Sequence, residues 1–233
     1  MSASVQAVQA AQSRWCRSGS KRAMDILVSS AALLLFSPLL FAIALGIRVM
    51  SGNPVIFRQW RAGRYGREFQ LLKFRTMAFE NVDGPALTRP GDPRVTSVGK
   101  WLRHWKLDEL PQLVNVLRGE MSLVGPRPDL SEFWERVPMN AREALKLVPG
   151  LTGAASLTFR NEESLLSQVA PEKLALFYVE KLLPRKAQLD LEYASRSTFE
   201  SDCRILVHTI AATALPSRIG DRTHVFHEYF SQQ

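Results

Sequence analysis

Ile26 to Ile47 (ILVSSAALLLFSPLLFAIALGI) runs for about 22 residues without a charge, and no other stretch restricts the possible folds so strongly. An apolar helix of about 20 residues matches the hydrocarbon thickness of a bilayer. A cleaved signal peptide fits poorly, because no small-residue cleavage site follows before Arg48. A buried helix in a soluble core would have to be covered by apolar neighbours on every face.

The flanks of this run argue against a simple crossing. Arg14, Arg17, Lys21 and Arg22 precede it, and Arg48, Arg58, Arg61, Arg64 and Arg67 follow it. The positive-inside bias therefore draws both ends to the same side of the membrane. A helix that enters, bends and returns satisfies that bias. Ser37-Pro38 supplies the bend, since Pro38 lacks an N–H and crowds the carbonyl of Leu34, while Ser37 can bond back to a preceding carbonyl. A proline-kinked spanning helix is the alternative.

The rest of the chain bounds the problem further. With 233 residues, 46% of them apolar, it suits one domain with a membrane anchor. A net charge of +8 fits nucleic acid, an anionic membrane or a phosphorylated substrate, and does not choose among them. Cys16 and Cys203 have neither metal-ligand nor disulfide-framework spacing and read as reduced thiols. P-loop, dinucleotide and zinc-type patterns are missing, as are Asp-x-Asp and any nucleic-acid-binding module; His224 and His227 read as incidental.

Pro54–Gln59 and Arg67–Thr76 read as a hairpin closed at Gly63-Arg64-Tyr65-Gly66. Lys73 and Arg75 then share a strand face, which suits a diphosphate or, equally, a solvated edge strand. Residues 81–96 read as a loop. A helix over 98–105 puts Trp101 and Trp105 on one face, facing either lipid headgroups or the core. Leu110, Leu113, Val114 and Leu117 have helical spacing, Gly119 is a stop, and Pro111 restricts the start to near Asp108. Asp108 and Glu109 therefore belong at a helix N-terminus, where Asp108 either caps the helix or serves chemistry.

Met121–Val124 reads as a buried strand, and Pro126 and Pro128 stiffen the loop that presents Arg127, aimed at a phosphate or at water. Helices are expected over 139–148 and 171–183. Residues 159–163 form a candidate site loop, and 198–215 form a helix that is either interfacial or core.

Several ordered motifs resemble one family. They are Lys21-Arg22-Ala23-Met24-Asp25, Ser37-Pro38, Lys73-Phe74-Arg75-Thr76-Met77, Asp92-Pro93-Arg94-Val95-Thr96 and Leu107-Asp108-Glu109-Leu110-Pro111-Gln112, followed by Ser122 to Pro128 and Pro149 to Gly153. Over about residues 21–195 the chain is similar to the monotopic polyprenyl-phosphate phosphoglycosyl transferases, in their minimal form without an added multi-pass region. The resemblance implies an α/β fold: a small catalytic domain with a short β-hairpin and several interfacial helices, plus an N-terminal re-entrant helix-break-helix. The expected organisation is a mobile basic tail (1–20), the re-entrant helix (21–50), the catalytic domain (51–200), and a C-terminal amphipathic helix and tail (201–233).

The resemblance also implies transfer of a sugar phosphate from a UDP-sugar to polyprenyl phosphate through a covalent aspartyl intermediate, with Mg²⁺ as cofactor. Asp108 would be nucleophile and metal ligand, and Glu109 its partner. Lys73, Arg75, Arg94, Arg103 and Arg127 would bind phosphate. Membrane lipids and downstream glycosyltransferases are the implied partners, the bacterial inner membrane the location, and the cytoplasm the side that the catalytic domain faces.

Overall fold

The chain bends where Ser37-Pro38 places the break. In the computed structural model, which describes residues 12–78 and 91–214, helix α1 (Gly19–Leu35) ends at Phe36 and helix α2 (Ser37–Ser51) starts at once, turned by 62°. Pro38 lies in the first turn of α2, where its missing N–H removes no helical bond. Ser37 Oγ donates to the Leu34 carbonyl at 2.8 Å, as its position before the proline suggests. No single helix among the described residues is long and apolar enough to cross a membrane.

Helix α1 is inverted relative to a soluble helix. Its buried positions are Lys21, Asp25 and Ser29, one stripe at four-residue spacing. Its apolar residues face outward: Leu27 is 70% exposed and Leu34 76%, and in α2 Phe41 is 72% and Val49 75% exposed.

The buried polar stripe ties α1 to the rest of the protein. Lys21 Nζ pairs with Asp202, which also accepts hydrogen bonds from Trp15 Nε1 and the Tyr193 hydroxyl. Asp25 Oδ1 accepts from the Leu123 amide at 3.0 Å. Arg22 donates to the Val116 and Leu117 carbonyls at 2.6 and 2.8 Å, capping a neighbouring helix end. Lys21 and Arg22, counted above as flanking charges, are thus used inside the fold. Residues 12–18 are docked as well, Ser13 N donating to the Ala194 carbonyl at 2.8 Å. This corrects the expectation of a mobile tail reaching to residue 20; residues 1–11 lie outside the described part.

Strands β1 (Ile56–Ala62) and β2 (Glu68–Phe74) form the expected antiparallel hairpin, with Ile56 opposite Phe74 and Ala62 opposite Glu68. Helices α3 (Ser97–His104) and α4 (Gln112–Arg118) follow. Strand β3 (Ser122–Val124) leads through α5 (Ser131–Trp134) and α6 (Met139–Arg142) to β4 (Gly150–Thr152), its parallel partner. The two glycine-containing motifs meet here: a Cβ on Gly150 would lie 2.1 Å from the Gly125 amide nitrogen, so only glycine allows these backbones to approach.

Short helices α7 (Ala154–Thr158), α8 (Glu162–Ser167) and α9 (Leu174–Phe177) precede α10 (Leu183–Arg196) and α11 (Phe199–Ala214). The helix expected to end at 183 in fact continues to 196. Pro184 cannot donate and its ring crowds the carbonyl of Glu180. The chain accommodates it with a π turn over Tyr178–Leu182 instead of stopping.

One core beneath the hairpin gathers Phe69, Leu71, Leu113, Val116, Leu123 and Tyr193. Another packs Phe133, Trp134, Tyr178, Val179 and Leu182. A smaller one, Ile43, Ile47, Phe74 and Leu102, seats the foot of α2. Trp101 (51% exposed) and Trp105 (37%) face outward, which removes the core reading for that pair. Helix α11 buries Asp202, Ile205 and Ala212, and its exposed face mixes Phe199, Val207 and Ile210 with Glu200, Arg204 and His208.

Candidate active site

Asp108 and Glu109 sit on a single 3-10 turn (Leu107–Glu109) ahead of α4. Asp108 makes no capping bond to the helix, so the structural role open to it at that position falls away. Its carboxylate is buried, and Oδ1 is shut off from water without a hydrogen-bond partner. A bare buried carboxylate oxygen is costly to hold, which marks it as a group kept for chemistry.

Glu109 is the opposite case. Lys73 Nζ donates to its Oε1 at 3.0 Å, and Arg127 grips both oxygens, Nη2 to Oε1 at 2.5 Å and Nη1 to Oε2 at 3.3 Å. The proline-stiffened loop thus delivers Arg127 to a carboxylate, in the forked geometry that guanidinium favours.

The two neighbours therefore have opposed electrostatics. Burial, then the adjacent Glu109, raise the Asp108 carboxyl above its ordinary value, against the pull of Lys73, Lys106 and Arg103. Burial also acts to raise Glu109, but Arg127 and Lys73 together outweigh it and hold Glu109 well below the usual carboxylate range. Burial lowers the Lys73 ammonium while Glu109 works to keep it charged. Glu109 is thus an anchored carboxylate whose charged form is favoured, and Asp108 a carboxylate whose negative charge is poorly compensated.

Beside this turn opens a cavity of about 1180 Å³. Lys106, Leu107, Glu109 and Arg127 line part of it, and Asp108 lies between Leu107 and Glu109 in the same turn. Ala32, Phe36 and Leu39, from the bend between α1 and α2, line another part together with Trp101 and Trp105. Phe159, Arg160, Asn161 and Glu162, from the loop singled out in the sequence, line a third with Lys186. The cavity is thus lined by charged side chains from the turn and the 159–162 loop and by apolar ones from the helix bend.

Two of the expected phosphate-binding residues are engaged by other groups of the protein. Arg75 is past the end of β2, and its guanidinium clasps the carbonyls of Ser51, Gly52 and Asn53. These are the unsatisfied acceptors that every helix C-terminus leaves, here at the end of α2, so the shared strand face with Lys73 is lost. Arg94 pairs with Asp92, Nη2 to Oδ2 at 2.7 Å, and that hydrogen bond holds the Asp92 carboxyl low. Arg103 stays near: it acts electrostatically on Asp108 and donates from Nε to the Thr76 hydroxyl at 2.9 Å.

Sequence reasoning missed a buried network that reaches the cavity through Lys186 and Glu162. The Tyr178 hydroxyl donates to Asp129 at 2.9 Å, and Lys186 Nζ bonds that hydroxyl at 3.0 Å and Glu162 at 3.1 Å. Carrying helical periodicity through Pro184 would have placed Lys186, Asp190 and Tyr193 on one face. Asp190 accepts from the Ala155 amide at 3.2 Å, and burial pushes its carboxyl up to about 7.

Among the described residues no three His, Cys, Asp or Glu side chains converge as a metal cage. The unpartnered Oδ1 of Asp108 nonetheless fits Mg²⁺, which takes one or two carboxylates and completes its shell with phosphate oxygens and water.

A buried carboxylate with an unpartnered oxygen, a second carboxylate held by two cations, and a cavity lined by charged and apolar side chains meet at this turn. The chain belongs to the bacterial sugar transferase family, whose model matches residues 16–215. It is 39% identical over 196 residues to a UDP-glucose:undecaprenyl-phosphate glucose-1-phosphate transferase of Caulobacter vibrioides, covering 82% of this chain and 68% of that protein. It is 37% identical over 211 residues to the exopolysaccharide production protein ExoY of Rhizobium meliloti, covering 84% and 85%. An Escherichia coli protein with the same name as the Caulobacter one is 37% identical over 195 residues, of which this chain spans 39% of the length. As a member, the chain is a phosphoglycosyl transferase.

Proposed function

We propose that this protein transfers a sugar phosphate from a UDP-sugar to polyprenyl phosphate at the cytoplasmic face of the bacterial inner membrane, through a covalent intermediate on Asp108. The single observation that carries this reading is the unpartnered, buried Asp108 carboxylate beside a Glu109 already saturated by Lys73 and Arg127. A carboxylate oxygen of Asp108 attacks the sugar-linked phosphorus, the bond to UMP breaks, and UMP leaves with the electron pair. An oxygen of the lipid phosphate then attacks the same phosphorus. The acyl-phosphate bond breaks and the Asp108 carboxylate is restored.

Lys73 and Arg127 neutralise Glu109, while Lys106 and Arg103 act on Asp108 with positive charge, which favours the approach of an anionic nucleophile to a diphosphate. Mg²⁺ held by Asp108 and the donor phosphates would add neutralisation there. The relatives' names support the donor and acceptor classes.

Lipid is the natural neighbour of the helix pair. Moving Leu27, Leu34, Leu35, Phe41 and Val49 out of water contributes on the order of 10 kcal/mol. Both ends of the pair attach to the same folded body, through Asp25 at one end and Arg75 at the other, as a re-entrant element requires. Ser20→Cys and Arg58→Cys, both exposed positions on either side of the pair, should label from the cytoplasmic side alone once Cys16 and Cys203 are replaced by serine. Labelling from opposite sides would establish a spanning helix instead.

The chemical step is tested with a panel of UDP-sugars in the presence of Mg²⁺. The expected result is UMP release and radiolabel on the protein before lipid acceptor is added, with ping-pong kinetics afterwards. Product formation with sequential kinetics and no labelled protein would replace the covalent route by direct displacement. Absence of UMP with every donor would remove the activity altogether.

A further inference from the structure

Two carboxylates and two cations meet at the turn, Asp108 and Glu109 against Lys73 and Arg127, and their formal charges cancel. Lys186, another lining residue, is likewise committed to Glu162. A substrate phosphate entering here would meet little uncommitted positive charge from these groups. Lys106 differs from them. It is exposed, lines the same cavity as Glu109 and Arg127, and forms no ion pair among the described residues.

Its backbone is just as unusual. Lys106 has φ 53° and ψ 21°, a left-handed conformation, at the junction between α3 and the turn that carries Asp108. A residue with a Cβ held there costs about 1–2 kcal/mol, whereas glycine adopts it freely and asparagine with less difficulty. Strain of this kind persists where the surrounding structure enforces it, and clusters at sites that use the side chain. From this turn the exposed Lys106 lines the cavity and acts electrostatically on both carboxylates.

We infer that Lys106 is a substrate-binding residue whose ammonium, placed at the cavity wall by a left-handed backbone, takes a phosphate group of the incoming substrate. The inference rests on the proposed donor and acceptor classes. Both carry the required chemistry, the donor as a diphosphate and the lipid as a monophosphate.

The test uses the full chain in lipid nanodiscs, with UDP and farnesyl phosphate as separate probes in binding measurements, on wild type, Lys106→Gly and Lys106→Arg. Lys106→Gly should keep or raise the melting temperature while weakening at least one probe about tenfold, the size of one lost charge-assisted bond. Lys106→Arg should restore that affinity. Weakening of UDP alone assigns the phosphate to the donor, and of farnesyl phosphate alone to the acceptor. Unchanged affinity for both probes in the glycine variant would overturn the inference while leaving the proposed function intact. A lowered melting temperature in that variant, or no restoration by arginine, would overturn it as well. If wild type binds neither probe, the proposed function falls, and this inference with it.

Discussion

Asp108→Asn should reduce capture of sugar phosphate on the protein to background, a loss on the order of a thousandfold or more, as removal of a nucleophile does elsewhere. The same variant should be more stable than wild type at neutral pH. Burial and the neighbouring Glu109 raise the folded-state value of Asp108 above that of the unfolded chain. For a carboxyl shifted in that direction, ionisation opposes folding. The penalty is absent below the ordinary aspartate value of about 3.9, grows as pH rises toward the raised value, and stays constant above it. Melting temperatures of wild type and Asp108→Asn measured across this range should therefore coincide at low pH and separate as pH climbs, the asparagine protein melting higher. An asparagine variant that melts lower than wild type at pH 7 would show that Asp108 is a structural residue. Activity and stability moving in opposite directions is the signature of a group retained for chemistry.

The second large effect falls far from the cavity. Lys21→Met should destabilise the protein by about 3–5 kcal/mol, because it leaves the fully buried Asp202 without its cation. For a domain of this size that corresponds to a fall of about 10 °C in melting temperature. The hydrogen bonds from Trp15 and Tyr193 remain, but neither neutralises the charge. Adding Asp202→Asn to Lys21→Met should recover much of the loss, since the cost lies in the unpaired charge more than in the missing contact. If Lys21→Met alone melts within a degree or two of wild type, then Lys21 is not the partner that holds α1 to α11. A lysine at the start of an apolar run is ordinarily a headgroup anchor; here it fastens the helix with the outward apolar face to the last described helix.

The helix pair, the hairpin and the short buried strand were legible in the sequence because each rests on local chemistry. Ser37-Pro38 breaks a helix whatever surrounds it, and Gly63 to Gly66 turns a chain wherever it stands. The Asp108-Glu109 pair and Arg127 were legible as candidates for the same reason, since Pro111, Pro126 and Pro128 restrict the backbone around them. Helix α10 was not, because a proline inside a helix is resolved either by ending it or by a π turn, and the packing of Tyr178, Val179 and Leu182 into the core decides which.

What sequence alone determined is where the backbone bends, which segments are apolar and which residues could do chemistry. Tertiary structure decided which cations reach that chemistry. Lys73 and Arg75 stand two residues apart with the same charge, yet one meets Glu109 and the other the carbonyl end of α2. Spacing cannot separate them, because the choice is made by the unsatisfied groups that folding brings beside each: a carboxylate for the first, a helix terminus for the second. The buried stripe of Lys21, Asp25 and Ser29 follows the same rule. The places of Lys21 and Asp25 inside were set by Asp202 and the Leu123 amide, partners that arrive only once the chain has closed on itself.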